Sequence, residues 1–366
     1  MVLLVIEKIP CTHKHEKENS KNMIRLHNDY NRGACKKILE KLAQINGESY
    51  DGYGEDTWCE KATELIREKC KALEAAIHFL PGATQANFIV HAAALSPIQS
   101  VICPDSGHVY AHEAGSIENT GHKLVPLPST DGKISAEQIR EVAASYYNSG
   151  EPNYICEPKM VYISFPTEWG TIYSEQELRE IRKVCDEYGM YLFADGARLG
   201  YGLGSVKNDL TLEKLAELTD VFYIGGTKCG ALFGEALVIT NKKLARKFRT
   251  YMKQNGAVMA KGWLLGMQFC SLLEDGTYEK MTAQADAYAL EIKAAFKEKR
   301  IREYVESYTN QLFVVLTKEQ AEVLGKEYIF EYLQDLADGS MVVRFCTSWA
   351  TTEAEKDQLI RDIRAL

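Results

Sequence analysis

Tyr191-Leu192-Phe193-Ala194-Asp195-Gly196-Ala197-Arg198 reads as an apolar strand that ends in an acid, a glycine and an arginine. A second run of the same design is Val221-Phe222-Tyr223-Ile224-Gly225-Gly226-Thr227-Lys228-Cys229-Gly230, which ends in glycines and a lysine. In open α/β sheets, ligands bind at the C-terminal ends of the strands. The two runs therefore offer a carboxylate (Asp195), a guanidinium (Arg198) and an amine (Lys228) at such ends.

Working outward, the pattern recurs. Residues 75–80 read as a buried strand, Pro81-Gly82-Ala83-Thr84 as a turn, and 85–95 as an apolar helix. Further strands are expected at 100–103, 123–126, 160–165 and 236–240. Ser174-Glu175-Gln176-Glu177 is a capping box that opens a helix running to Tyr188, and Gly189 closes it. Upstream, Trp58, Ala62, Leu65, Ile66 and Cys70 recur at helical spacing. Alternating strands and helices predict an α/β fold, a mostly parallel sheet with helices on both faces. After about residue 245 the pattern changes to helical stretches at 243–273 and 278–299. Short strands at 311–316 and 341–346 and helices at 318–324 and 352–366 follow. The expected division is a flexible leader over 1–22, a large domain over 23–245 and a smaller α+β domain over 246–366.

Composition excludes several classes of partner. A chain of 366 residues suits one large and one smaller domain. A net charge of -8 provides no general field for nucleic acid or an anionic membrane. No apolar run approaches the roughly 18 residues of a membrane helix. The apolar start, Met1 to Ile6, falls short of the about 7–15 residues of a secretory signal. Ten scattered cysteines without a C-x-x-C pair read as reduced, mostly buried thiols of a cytoplasmic protein. No metal site is expected.

Several residues carry a specific chemistry. Pyridoxal 5'-phosphate needs an acid at its pyridinium nitrogen and an amine for a Schiff base; Asp195 and Lys228 supply both. A buried or phosphate-flanked lysine has a lowered pKa, which favours that role. Arg198 is placed to reach the phenolic oxygen. The loop from Pro81 to Asn87 joins a strand to a helix whose free N–H groups form an anion site. His108, in Pro104-Asp105-Ser106-Gly107-His108, offers a ring to stack on a flat cofactor, with His112 nearby. Arg344, inside the apolar run Met341-Val342-Val343-Arg344-Phe345-Cys346, must find a partner. A substrate α-carboxylate suits it, as does an internal salt bridge.

Taken together, these motifs resemble the fold type I pyridoxal phosphate enzymes. Within them the similarity is to the threonine aldolase and β-eliminating lyase family, over roughly residues 23–366. Asp195-Gly196-Ala197-Arg198 is similar to the family's Asp-Gly-Ala-Arg element, and Lys228 falls on its Schiff-base lysine. Residues 80–87 resemble its phosphate loop, with Ala83 where a glycine is usual. That implies phosphate contacts from the Ala83 and Thr84 backbone and the Thr84 hydroxyl. His108 followed by Glu113-Ala114-Gly115 resembles the ring-stacking segment. Gly54-Glu55-Asp56 resembles a Gly-Asp-Asp segment, and Arg344 falls on the substrate-carboxylate arginine.

Two departures stand out. In His27-Asn28-Asp29-Tyr30, Asn28 replaces a serine that touches the substrate carboxylate. In Pro166-Thr167-Glu168-Trp169-Gly170, Glu168 replaces a histidine near the substrate hydroxyl, and a carboxylate still serves as a general base. The resemblance implies pyridoxal 5'-phosphate as cofactor. It also implies cleavage of a β-hydroxy-α-amino acid, such as L-threonine or L-allo-threonine, to glycine and an aldehyde. A β-eliminating lyase, a racemase or an aminotransferase is the alternative on the same fold, and a non-catalytic cofactor-binding protein is a third reading. The resemblance implies a homodimer or homotetramer with shared active sites, in which Lys261 of Ala260-Lys261-Gly262 either reaches the neighbouring subunit's phosphate or is an ordinary helix-surface lysine.

Overall fold

The computed structural model describes residues 23–366; the leader expected over 1–22 lies outside the described residues. After a two-residue strand β1 (Ile24–Arg25), the apolar runs become β2 (Ala76–Leu80), β3 (Gln99–Pro104), β4 (Lys123–Leu127), β5 (Glu157–Ser164), β6 (Tyr191–Asp195), β7 (Val221–Gly225) and β8 (Glu235–Ile239). They form one seven-stranded sheet in the order β2-β8-β7-β6-β5-β3-β4. Only β8 is antiparallel to its neighbours. The sheet is thus mostly parallel, as the alternation of strands and helices predicts.

Both faces of this sheet are covered, which is why its strands read as continuous apolar runs. Leu192, Ala194, Phe222 and Ile224 enter one core, while Phe193, Val221 and Tyr223 enter the other. Each such Leu, Ile, Val or Phe side chain contributes about 1.5–3 kcal/mol through burial. The order in which strands are added reverses between β3 and β5. From β3 the chain moves outward to β4, whereas from β5 it moves through β6 and β7 to β8. A crevice at the C-terminal ends of the strands opens at such a switch point. His108 follows β3 there, and Glu168 follows β5.

The ends of β6 and β7 approach too closely for a side chain. The Gly225 N–H donates to the Gly196 carbonyl at 3.0 Å. A Cβ on Gly196 would lie 1.8 Å from the Tyr223 carbonyl oxygen. Gly196→Ala is expected to cost about 3 kcal/mol, the upper end for overpacking, because the obstacle is backbone. Urea unfolding measures this, and an unchanged midpoint would contradict the packing argument.

The second layer holds β9 (Glu303–Val305), β10 (Gln311–Leu316), β11 (Tyr328–Ile329), β12 (Glu331–Asp335) and β13 (Met341–Cys346). Four of these form an antiparallel sheet in the order β12-β13-β10-β9. Its core joins Val343 and Phe345 to Ala289, Ile292 and Phe296 of helix Thr277–Glu298 and to Leu359 of helix Glu353–Ala365.

The expected division at residue 245 is corrected in two ways. β1 pairs with β11, and Leu26 enters the second core, so the start of the described chain packs with the small domain. Helix Trp263–Leu273 is buried continuously from Leu265 to Leu273 and belongs to the large core. A helix apolar on all sides needs cover all round, and helix Thr57–Lys69 supplies part of it. The change of core falls within helix Thr277–Glu298, where Tyr278 and Ala285 face the large core and Ala289 onward the small one. The helical stretch expected at 243–273 is interrupted by left-handed backbone at Lys247 (φ 64°) and Gly256 (φ 73°). It becomes Lys242–Ala245, Phe248–Gln254 and Trp263–Leu273. Among the described residues, nine cysteines are free thiols, and no helix is long and apolar enough to cross a membrane.

Candidate active site

Lys228 sits in the turn between β7 and β8, and that turn is pinned by an acid. Glu235, 2% exposed, accepts from the Gly226 N–H at 2.9 Å and the Thr227 hydroxyl at 2.7 Å. Burial pushes the Glu235 carboxyl up to about 8, against those two bonds and the charge of Lys228. Burial, then the neighbouring Arg198, lowers the Lys228 pKa, with Asp29, Asp195 and Glu235 opposing. A lysine held this way keeps more of its amine neutral and nucleophilic.

Asp195 ends β6 and is buried. It accepts from Tyr162 Oη at 2.6 Å, Asn87 Nδ2 at 3.1 Å and the Ala197 N–H at 2.9 Å. Burial alone would raise its pKa. The charge of His108 and the bond from Tyr162 outweigh that, and the carboxyl lies below its ordinary value. Three donors leave an ionised carboxylate room for one more.

His108 opens the one-turn helix after β3, with Nδ1 2.8 Å from Glu113 Oε1. Burial pushes its pKa down, but Glu113 and Asp195 pull it up further, so it lies above its ordinary value. The same Glu113 oxygen accepts from Asn87 Nδ2 at 2.7 Å, and Ser116 holds the other oxygen at 2.6 Å. Asn87 thus bridges the partner of His108 to Asp195.

Glu168 reaches the same place from the end of β5. Its Oε1 accepts from Ser164 Oγ at 2.6 Å and from the His108 N–H at 3.0 Å. Its Oε2 is buried without a partner. Burial, reinforced by Asp195, raises its pKa against the bond from Ser164. Helix Ala83–Ala94 points its N-terminus at this group of side chains. Gly82 caps it without a side chain, and the first helical bond back to Gly82 comes from the Ala86 N–H. The N–H groups of Ala83, Thr84 and Gln85 therefore remain for an anion.

Arg198 is fixed rather than mobile. It makes a two-pronged pair with Asp29, at 2.7 and 3.1 Å, and Asn310 donates to the same acid at 3.0 Å. Asp29 is 1% exposed. Burial would raise its pKa, but Arg198 and Lys228 bring it down to about 2.

Ala83, His108, Glu168, Asp195, Arg198 and Lys228 line one pocket. It adjoins a cavity of about 570 Å3 that shares His108, Glu168, Arg198 and Lys228 and carries Arg344 on its wall. Three expected residues stand apart. Asn28 turns its Oδ1 to the Tyr30 N–H at 3.2 Å and does not line the cavity. The Thr84 side chain is exposed at the helix start, and Lys261 is exposed before helix Trp263–Leu273. Asp56, from the Gly54-Glu55-Asp56 segment, caps helix Thr57–Lys69 through the Trp58 and Cys59 N–H groups.

The structure also brings in Asp29, Asn87, Glu113, Tyr162, Ser164 and Glu235, which the sequence reading gives no role. Two signals were present. Asn87 ends the loop of the anion site, and Tyr162 and Ser164 are polar groups two apart at the end of an apolar strand. Among the described residues, no group of three or more His, Cys, Asp or Glu is placed to hold a metal ion.

These residues fit pyridoxal phosphate. An ionised buried acid would pair with a cationic ring nitrogen, an uncapped helix start would hold a phosphate, and an amine of lowered pKa lines the same pocket. A solved aspartate aminotransferase of Thermus thermophilus superposes with a TM-score of 0.68 at 12% identity, over 94% of this chain and 92% of that one. At that identity the likeness is one of fold, and the fold is that of the fold type I pyridoxal phosphate enzymes. Residues 26–319 match the family described as Beta-eliminating lyase, and the chain belongs to it. A low specificity L-threonine aldolase of a Pseudomonas species is 30% identical over 342 residues, 91% of this chain and 95% of the relative. A solved threonine aldolase of Leishmania major is 42% identical, with a TM-score of 0.91 over 93% of this chain and 99% of that one.

Proposed function

We propose that this protein is a lyase that cleaves a β-hydroxy-α-amino acid of the L-threonine or L-allo-threonine kind to glycine and an aldehyde, with pyridoxal 5'-phosphate as cofactor. The observation that carries the reading is the buried, unpartnered Oε2 of Glu168 in the cavity that holds Lys228 and Arg344. When bound, the cofactor would supply an aldehyde for Lys228 and a ring able to take up the electrons of the breaking Cα–Cβ bond.

The chain's own residues do the rest. Asp195, its carboxyl below the ordinary value, would keep a proton on the ring nitrogen. The Ala83 and Thr84 N–H groups would hold the phosphate. His108, fixed by Glu113, would flank the ring, and Arg198, fixed by Asp29, would serve the phenolic oxygen. Arg344 takes the substrate's α-carboxylate. Glu168 removes the β-hydroxyl proton, with Ser164 and the His108 N–H holding its other oxygen. Lys228 in its ammonium form, or water, returns a proton to Cα. Asn28, engaged by its own turn, has no part in this set. The molecule acts as a homodimer or homotetramer in which the exposed Lys261 reaches the neighbouring subunit's phosphate. Its free thiols fit the cytoplasm.

The test is the visible spectrum of the cofactor-loaded protein before and after L-allo-threonine, with products quantified. Glycine and acetaldehyde in equal amounts are expected; ammonia with a keto acid would move the assignment to β-elimination. A sharper prediction concerns Glu168. Its raised pKa means the base form appears only as pH climbs above the ordinary carboxylate range. The kcat/KM profile should therefore rise through that raised value. In Glu168→Gln, kcat should fall by about 10²–10⁴-fold and the acid limb should vanish. A variant with an unaltered profile would remove Glu168 from the proton transfer.

A further inference from the structure

Arg344 is already engaged by the protein's own groups. Its Nη1 donates to Gln311 Oε1 at 3.1 Å. Its Nη2 donates to the His27 carbonyl at 2.9 Å and to Glu331 Oε2. Its Nε is buried without a partner. A carboxylate binds a guanidinium best through two neighbouring N–H groups. Each two-pronged edge includes Nη2, whose two hydrogens are both taken. Glu331 thus occupies one of the two Nη2 hydrogens, while Nε on the adjoining edge stays without a partner.

The pairing is built into the sheet. Glu331 and Arg344 are register partners on β12 and β13, and both line the cavity that holds Lys228. The Arg344 side chain is 15% exposed and that of Glu331 43%. Glu331 therefore releases its partner into water at little cost, while Arg344 stays where it is.

We propose that Glu331 is an internal competitor of the substrate carboxylate and sets the protein's affinity for amino acids. This rests on the reading that Arg344 takes that carboxylate. Glu331 keeps the guanidinium aimed into the cavity and swings out when the amino acid takes Nε and Nη2. No bond to carbon is made or broken in the exchange, so the effect belongs to binding and not to turnover.

The experiment uses the cofactor-loaded protein with glycine as probe, its Kd read by calorimetry and by spectral titration. In Glu331→Gln, which keeps the shape and removes the charge, glycine should bind about two- to fivefold tighter, the range for a partly exposed ion pair. The KM for L-allo-threonine should fall by the same factor with kcat unchanged. Methylamine, which lacks the carboxylate, should bind equally well to both proteins. Unchanged or weaker glycine binding in Glu331→Gln overturns the proposal, as does an equal gain for methylamine. Arg344→Gln, run in parallel, separates the two claims. If it does not weaken glycine binding, the carboxylate role of Arg344 fails and the competition with it. If it does while Glu331→Gln gains nothing, only the competition fails.

Discussion

Lys228→Ala should lose at least about 10⁴-fold in turnover while remaining folded. The local backbone does not depend on the side chain. Glu235 pins Gly226 and Thr227, and Tyr201 Oη donates to the Lys228 carbonyl at 2.7 Å. The acids around the ammonium all keep other donors: Asp29 keeps Arg198 and Asn310, Asp195 keeps Tyr162 and Asn87, and Glu235 keeps the turn. Truncation therefore leaves no carboxylate orphaned. It also removes a cation whose burial disfavours its charge, so the urea midpoint should hold or rise. Borohydride treatment of the cofactor-loaded variant should no longer fix the cofactor to the chain. Normal turnover would displace Lys228 from the centre of the site.

Asp29→Ala should cost about 3–5 kcal/mol, because it strands a buried guanidinium. Arg198 has no second acid among its hydrogen-bond partners, and Asn310 loses one of its acceptors while keeping the Thr347 carbonyl. The pair joins three parts of the molecule: the start of the described chain, the end of β6 and the approach to β10. Its loss should therefore lower the unfolding midpoint and disturb cofactor binding together. The sign with pH follows from the lowered carboxyl, 3.8 ordinarily and about 2 in the fold. The pair's contribution is complete above about pH 4 and is lost as pH falls from there toward 2, a change of about 2 kcal/mol. Urea unfolding of the wild type across that window should show the loss, and the variant should lack it. A variant as stable as the wild type would mean that Arg198 finds water or another acceptor.

How much of the site could be read in advance depends on where each partner lies along the chain. Asp195, Lys228, His108 and Glu168 each follow a strand that its apolar pattern marks, so their meeting at one edge follows from the parallel order. The acid that fixes Arg198 lies 169 residues away, on a segment without regular structure. Asn28 and Asp29 were equally visible in the sequence. Only the fold turns Asp29 inward and leaves Asn28 bonded to its own turn. Glu331 sits on an edge strand too polar to stand out, and its pairing with Arg344 depends on the register of β12 and β13.

The sequence by itself determined the α/β order, the apolar strands and the chemical identity of the groups at their ends. Periodicity, caps and glycines are local signals, and each acts within a few residues. Tertiary structure decided which acid meets which base, where one core gives way to the other inside helix Thr277–Glu298, and which groups stay ionised. Those outcomes depend on burial and on charges brought together from distant parts of the chain. Burial raises the carboxyls of Glu168 and Glu235, whereas Arg198 lowers that of Asp29. A residue's type does not specify its electrostatic surroundings, and these three acids differ because their surroundings do.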